Sequence, residues 1–107
     1  MKFFTKNDTR IPALGLGTYR LKGDEATKIV EAGIEAGFRH LDTAQMYENE
    51  AAVAKGMHNS GLPREDFFLT TKVWPTDLSK DKFLPSVEES LRKMQLDYVD
   101  LLLIHWP

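Results

Sequence analysis

The chain contains no cysteine. That excludes a disulfide framework and a thiolate metal site, and it fits a reducing, cytoplasmic setting. There is also no run of lysine or arginine longer than two, and 14 basic and 16 acidic residues are interspersed to a formal net charge of -2. Nucleic acid and anionic membrane are therefore poor matches as partners. No stretch reaches the roughly 18 apolar residues that a membrane helix needs. The first residues, Met1-Lys2-Phe3-Phe4-Thr5-Lys6, lack the apolar core of a secretory signal. No linker, low-complexity tract or charge block interrupts the 107 residues, which read as a single domain over 1–107. A folded chain of this length buries roughly two thirds of its unfolded surface.

What is present is an alternation of short apolar runs with amphipathic segments. From Lys2 to Pro12 the pattern predicts a small hairpin turning at Lys6-Asn7-Asp8-Thr9, a lid or plug rather than a core. Four strands follow, approximately Ala13 to Thr18, Phe38 to Asp42, Phe67 to Lys72 and Val99 to His105. Between the first two, Asp24 and Glu25 open a helix whose inward face is Ala26, Ile29, Val30, Gly33 and Ile34, and Gly37 stops it. The second helix spans about Asn49 to Ser60 with Ala52, Val53, Gly56 and Met57 inward, ended by Gly61 and Pro63. The third starts near a Ser79 cap and runs to about Gln95, with Val87, Leu91 and Met94 inward. Pro85 inside it predicts a kink in the first turns or a delayed start. Strands alternating with helices predict an α/β fold with a parallel sheet, as the continuous run Leu101-Leu102-Leu103-Ile104 suggests. Either an open doubly wound sheet or a closed (β/α)8 barrel fits that order.

In both layouts ligands bind beyond the carboxyl ends of the strands. Asp42 stands there after the second strand, with Tyr47 in the following loop; Lys72 closes the third strand and His105 the fourth. Each alone has a bland reading, as a turn residue, a packing ring or a structural imidazole. A lysine ending an apolar strand needs a carboxylate, and Asp42 on the neighbouring strand is the partner at hand. An acid, a phenol, an amine and an imidazole converging on one rim fit carbonyl reduction. Hydride addition leaves an alkoxide that needs a proton, and a phenol, which ionises near about 10 when free, gives it readily only with a cation nearby. Lys72 would stabilise the Tyr47 phenolate, Asp42 would hold the lysine, and His105 would polarise the carbonyl oxygen. No side chain supplies hydride, so a nicotinamide cofactor is implied.

The motifs resemble the aldo-keto reductase family over Ile11 to Pro107: Gly15-Leu16-Gly17-Thr18-Tyr19-Arg20, Gly37-Phe38-Arg39-His40-Leu41-Asp42-Thr43-Ala44 with Tyr47 and Glu50, Thr71-Lys72-Val73-Trp74, Asp97-Tyr98-Val99-Asp100-Leu101, and Leu103-Ile104-His105-Trp106-Pro107. The resemblance implies the first half of a (β/α)8 TIM barrel, an N-terminal hairpin followed by four strands and three helices. It also implies NADPH-linked interconversion of small carbonyls with alcohols, no metal, and a monomer for the full-length parent. By position Tyr47 resembles the general acid, Lys72 its cationic partner, Asp42 the residue pairing with that lysine and His105 the residue that orients substrate, with Trp74 and Trp106 beside it. Gly17, Thr18 and Tyr19, with Asp42, match the segment lying against the nicotinamide side of the cofactor. The loop from Asp42 to Tyr47 and the stretch Leu78-Ser79-Lys80-Asp81-Lys82 are most similar to bacterial members that reduce 2,5-diketo-gluconate and methylglyoxal. Ala54 departs from the usual Gly or Ser, a change expected to be absorbed by packing. The family's four further strands, with the remaining cofactor contacts and substrate loops, lie outside these residues, so two sheet edges are expected to be open.

Two other readings compete. Gly15-Leu16-Gly17-Thr18-Tyr19-Arg20 begins like a dinucleotide fingerprint, but Arg20 stands where the last glycine belongs and no acid follows at the ribose offset of about 20. A first strand at the sheet centre would favour that reading. The second is a barrel relative that binds cofactor without catalysis, from which an enzyme is told apart by loss of turnover in Tyr47→Phe. His40 and His58 lack a second ligand at metal spacing and read as surface or structural residues.

Overall fold

The computed structural model of the chain describes residues 3–6 and 9–105. Strands β1 (Phe3–Lys6) and β2 (Thr9–Pro12) form an antiparallel hairpin pairing Phe3 with Pro12 and Lys6 with Thr9. The expected turn residues Asn7 and Asp8 lie outside the described residues. The rest alternates as β3 (Gly15–Gly17), α1 (Gly23–Glu35), β4 (His40–Asp42), α2 (Glu50–Asn59), β5 (Phe68–Val73), α3 (Lys80–Met94) and β6 (Leu101–Ile104). Three short 3-10 turns, Gln45–Tyr47, Arg64–Asp66 and Pro75–Asp77, lie in the connections.

The four later strands form one parallel sheet in the order β3-β4-β5-β6, each beside its predecessor in sequence. The first of them is at an edge, which removes the dinucleotide-fold reading, because that fold places its first strand centrally. Side chains alternate across the sheet. Leu41 and Leu69 turn toward the helices and join Val30, Ile34, Val53, Ala54, Met57, Phe67 and Met94 in the core. His40, Asp42, Thr70 and Lys72, at alternate positions, share the opposite face. The Ala54 departure sits in that core at 1% exposure.

Helix α1 ends where Gly37 adopts a φ of 112°, and the Gly37 and Phe38 N–H groups donate to the Ile34 and Gly33 carbonyls. The second strand is two residues shorter at its start than expected, because Arg39 turns its guanidinium back onto the Ile34 and Phe38 carbonyls and keeps this segment with the helix exit. The first and last strands are likewise shorter than expected at both ends, while β5 runs one residue further, to Val73. Ile29 was expected inward but is 37% exposed. Thr27 takes that place instead, buried, its hydroxyl donating to the Ala52 carbonyl of α2 at 2.9 Å. Gly56 allows this approach: a Cβ there would lie 2.6 Å from Val30 Cγ1 and 3.1 Å from the Thr27 carbonyl.

Pro85 does not delay α3, which begins at Lys80 after Ser79. It is the sixth helical residue and exposed, so the carbonyl whose partner it removes, that of Asp81, is left near water rather than in the core. Ser79 occupies the cap position through its backbone carbonyl, which accepts from Lys82 and Phe83, and makes no side-chain cap bond. On this helix Ser90 and Met94 are buried while Val87 and Leu91 are half-buried. His58 and His40 are structural: His58 Nε2 donates to the Met94 carbonyl at 3.0 Å, and His40 meets the Thr70 hydroxyl and the edge of the Phe68 ring.

The hairpin lies at the amino-terminal end of the sheet. Phe3 and Pro12 line a cavity of about 660 Å³ with Arg39, Phe67, Phe68 and Asp100, all at strand starts. It is therefore a plug at the end opposite the strand exits. Among the described residues no helix is long and apolar enough to cross a membrane.

Candidate active site

The site grows from the exits of β4 and β5. Their register sets Asp42 beside Thr70, two residues before Lys72 and on the same face. The Lys72 ammonium reaches across to the Asp42 carboxylate and also donates to the Thr43 carbonyl at 3.2 Å. The pair is half-buried, with the lysine side chain 16% and the aspartate 36% exposed.

Beyond Asp42, the chain enters the 3-10 turn that carries Tyr47. Glu48 ends the turn with a φ of 56°. This fold-back brings the phenol ring over the strand exits: Lys72 Nζ is 5.2 Å from its centroid, within cation-π range. The His105 ring stands edge-on to the same ring at 5.6 Å and 89°. His105 follows β6, fixed by its N–H to the Val73 carbonyl at 3.0 Å, and is 7% exposed. Trp74, after β5, meets the same imidazole edge-on at 5.7 Å. The structure thus gathers Asp42, Tyr47, Lys72, His105 and Trp74 on one rim. Trp106 lies outside the described residues.

The segment after β3 reaches the rim from the other side. Gly17 pairs in register with Asp42, and a Cβ built there meets nothing within 4 Å. Thr18 is buried, its hydroxyl and N–H both donating to the Asp42 carbonyl. It therefore fixes the backbone that presents Asp42. Tyr19 is 58% exposed and its ring lies 5.3 Å from that of Tyr47. Among the described residues no group of three His, Asp or Glu side chains is placed to hold a metal.

Three polar residues around Tyr47 were not singled out from sequence for any role. Asn49 is buried; its amide donates to the Thr18 and Leu21 carbonyls at 2.8 and 2.9 Å and its oxygen accepts from the Thr43 hydroxyl. Gln45 accepts from the Trp74 N–H at 2.9 Å and donates toward Ser86 and Ser90 of α3. Glu50, 4% exposed, accepts from the Thr71 and Ser90 hydroxyls at 2.6 and 3.0 Å. The available signal was local: two amides placed symmetrically two residues either side of a loop tyrosine, and an acid in the first turn of a helix.

A parallel α/β sheet with helices on one face gathers an acid, an amine, a phenol and an imidazole at its carboxyl-end rim, the place where barrel folds bind their ligands. The chain belongs to the aldo/keto reductase family, matching its family description over residues 13–107. It is 56% identical over 97 residues to the methylglyoxal reductase DkgB of Salmonella typhi, covering 91% of this chain and 36% of that protein. It superposes on the aldo/keto reductase of Brucella melitensis with a TM-score of 0.94 at 45% identity, over 99% of this chain and 41% of the other. A further structure, provisionally assigned as a 2,5-diketo-D-gluconic acid reductase B, matches with a TM-score of 0.89 at 54% identity, over 94% of this chain and 36% of that one. The four strands and three helices are thus the first half of a (β/α)8 barrel, and the chain spans well under half the length of these relatives.

Proposed function

We propose that these residues form the proton-transfer half of an NADPH-dependent reductase of small aldehydes and ketones. The observation that carries the reading is the Lys72 ammonium paired with the Asp42 carboxylate within cation-π range of the Tyr47 ring, which the His105 ring also meets edge-on. The similarity to methylglyoxal and 2,5-diketo-gluconate reductases points to short dicarbonyls as the substrate class.

The residues present suit a flat cofactor ring at the rim. Open space lies beside Gly17, where no side chain stands, and Tyr19 offers an exposed aromatic face next to Tyr47. Gly17, Thr18, Tyr19 and Asp42 would hold that end of the cofactor, which when bound supplies the hydride.

The remaining chemistry is done by side chains. The Tyr47 hydroxyl gives its proton to the substrate oxygen as negative charge builds there, a contribution worth about 10²- to 10⁴-fold in rate. The Lys72 ammonium stabilises the phenolate left behind, since an opposite charge nearby favours the ionised form. Asp42 keeps the ammonium from swinging toward water, and Thr18 in turn fixes Asp42 through its backbone. His105, held edge-on to Tyr47 and Trp74, orients the substrate oxygen toward the phenol.

The test is NADPH consumption with methylglyoxal and 2,5-diketo-gluconate by a complete eight-strand barrel carrying these residues. Turnover with at least one is expected. Cofactor binding without turnover on any small aldehyde or ketone would leave the non-catalytic reading instead.

A further inference from the structure

The turn that carries Tyr47 is only three residues long, and its own backbone contributes just two bonds, from the Tyr47 and Glu48 N–H groups to the Ala44 and Gln45 carbonyls. Met46 and Glu48 on either side of Tyr47 are exposed, so the ring contacts of Tyr47 and the buried Ala44 are most of the packing that holds the turn, and hydrogen bonds must supply the rest. Two amides do. On the β3 flank Asn49 holds the loop to Thr18 and Leu21. On the Lys72 flank, Gln45 is the residue whose side chain reaches across.

Gln45 Oε1 accepts from the Trp74 N–H at 2.9 Å, two residues past Lys72. Its Nε2 lies 3.2 Å from the Ser86 carbonyl, the Ser86 hydroxyl and the Ser90 hydroxyl, three acceptors for two N–H groups. Ser90 passes the connection on to Glu50, and Glu50 accepts from Thr71, the neighbour of Lys72 in β5. Both ends of the phenol–ammonium relationship are therefore tied to one polar network, and Gln45 is the link that joins it to the turn. The proposed chemistry uses none of these groups.

We propose that Gln45 is a positioning residue for Tyr47: by fastening the turn to the Trp74 backbone and to α3, it sets the separation of the phenol from Lys72 and from His105. The inference rests on Tyr47 being the proton donor. Small displacements of a reacting group cost large factors in rate, on the order of 10²-fold for about 1 Å.

The test is a double-mutant comparison in a complete barrel carrying these residues. Gln45→Met keeps the length of the side chain and removes every hydrogen bond; Gln45→Glu keeps the acceptor for Trp74 and loses the donors. Each is measured for kcat, KM and nucleotide Kd, alone and in a Tyr47→Phe background, where a residue acting only through the phenol has nothing left to affect. Gln45→Met is expected to lower kcat by between about 10-fold and 100-fold, with nucleotide Kd changed less than about twofold and no further loss when Tyr47 is already Phe. Equal loss in both backgrounds, or an unchanged kcat, overturns the proposal. If Gln45→Met does not fold, Gln45→Glu carries the same comparison. The two readings fail separately. Normal turnover by Tyr47→Phe removes the proton donor itself, whereas its loss beside an unaffected Gln45→Met removes only the role of Gln45.

Discussion

The Lys72 ammonium stands 5.2 Å from the centre of the Tyr47 ring while it is bonded to Asp42 of the adjacent strand. A cation so held is fixed with respect to the sheet and available to the phenol. Lys72→Met is expected to depress carbonyl reduction by a factor on the order of 10² or more, because the phenolate loses its stabilising charge. The fold should lose only about 1 kcal/mol, since the Asp42 side chain is 36% exposed and water replaces part of the lost pairing. Steady-state kinetics and urea unfolding of one protein read both quantities.

Asn49 uses both of its amide N–H groups and accepts one hydrogen bond at its oxygen, between the exits of β3 and β4. Asn49→Asp keeps the shape and the acceptor for Thr43 but faces the Thr18 and Leu21 carbonyls with an oxygen in place of the amide nitrogen. A loss of about 1–3 kcal/mol in unfolding free energy is expected. Nucleotide Kd should also rise, because the Thr18–Tyr19 segment loses its tether. Unfolding titrations and fluorescence quenching by NADPH check the two parts.

Gly56 presents two opposed effects of comparable size. Alanine gains about 1 kcal/mol of helix propensity, yet its Cβ would meet Val30 Cγ1 at 2.6 Å and a backbone carbonyl at 3.1 Å. Val30 is itself fully buried and has nowhere to retreat. Overpacking of about 1–3 kcal/mol should win, so Gly56→Ala lowers the unfolding midpoint.

Taken alone, the 107-residue chain should show negligible reductase activity. The sheet has open edges at β3 and β6, and Leu101, Leu103 and Ile104 of β6 are exposed. NADPH oxidation with methylglyoxal by the purified chain, at a rate near that of a complete relative, would contradict this.

On the exposed face of α3, the hydrogen bond from Arg92 holds the Glu89 carboxyl below its ordinary value. A depressed carboxyl contributes stability that is present above its unfolded pKa and lost as pH falls through the folded one. Both side chains are exposed and the pair is screened by solvent, so Glu89→Gln should leave the pH dependence of unfolding unchanged within measurement.

Much of this arrangement was legible in the sequence for a physical reason. A parallel sheet writes itself as apolar runs, and the rim is where such runs end, so Asp42, Lys72 and His105 were marked by position. Helix faces were read less well. Ile29 lies about a quarter of a turn from the centre of the stripe made by Ala26, Val30 and Ile34, while a threonine, polar by type, was buried because its hydroxyl found the Ala52 carbonyl. The network around Tyr47 left no periodic trace. Gln45 meets Ser90, and Asn49 meets Thr18, across 45 and 31 residues of chain, and the symmetric placing of the two amides about Tyr47 does not say which distant groups they reach.

The most direct measurement is the turnover of Tyr47→Phe in a complete barrel carrying these residues, set against its affinity for NADPH. A fall in kcat on the order of 10²- to 10⁴-fold is expected, with nucleotide Kd essentially unchanged. Turnover within a few-fold of the unaltered enzyme would show that the proton comes from elsewhere, and the assignment of the rim would be wrong.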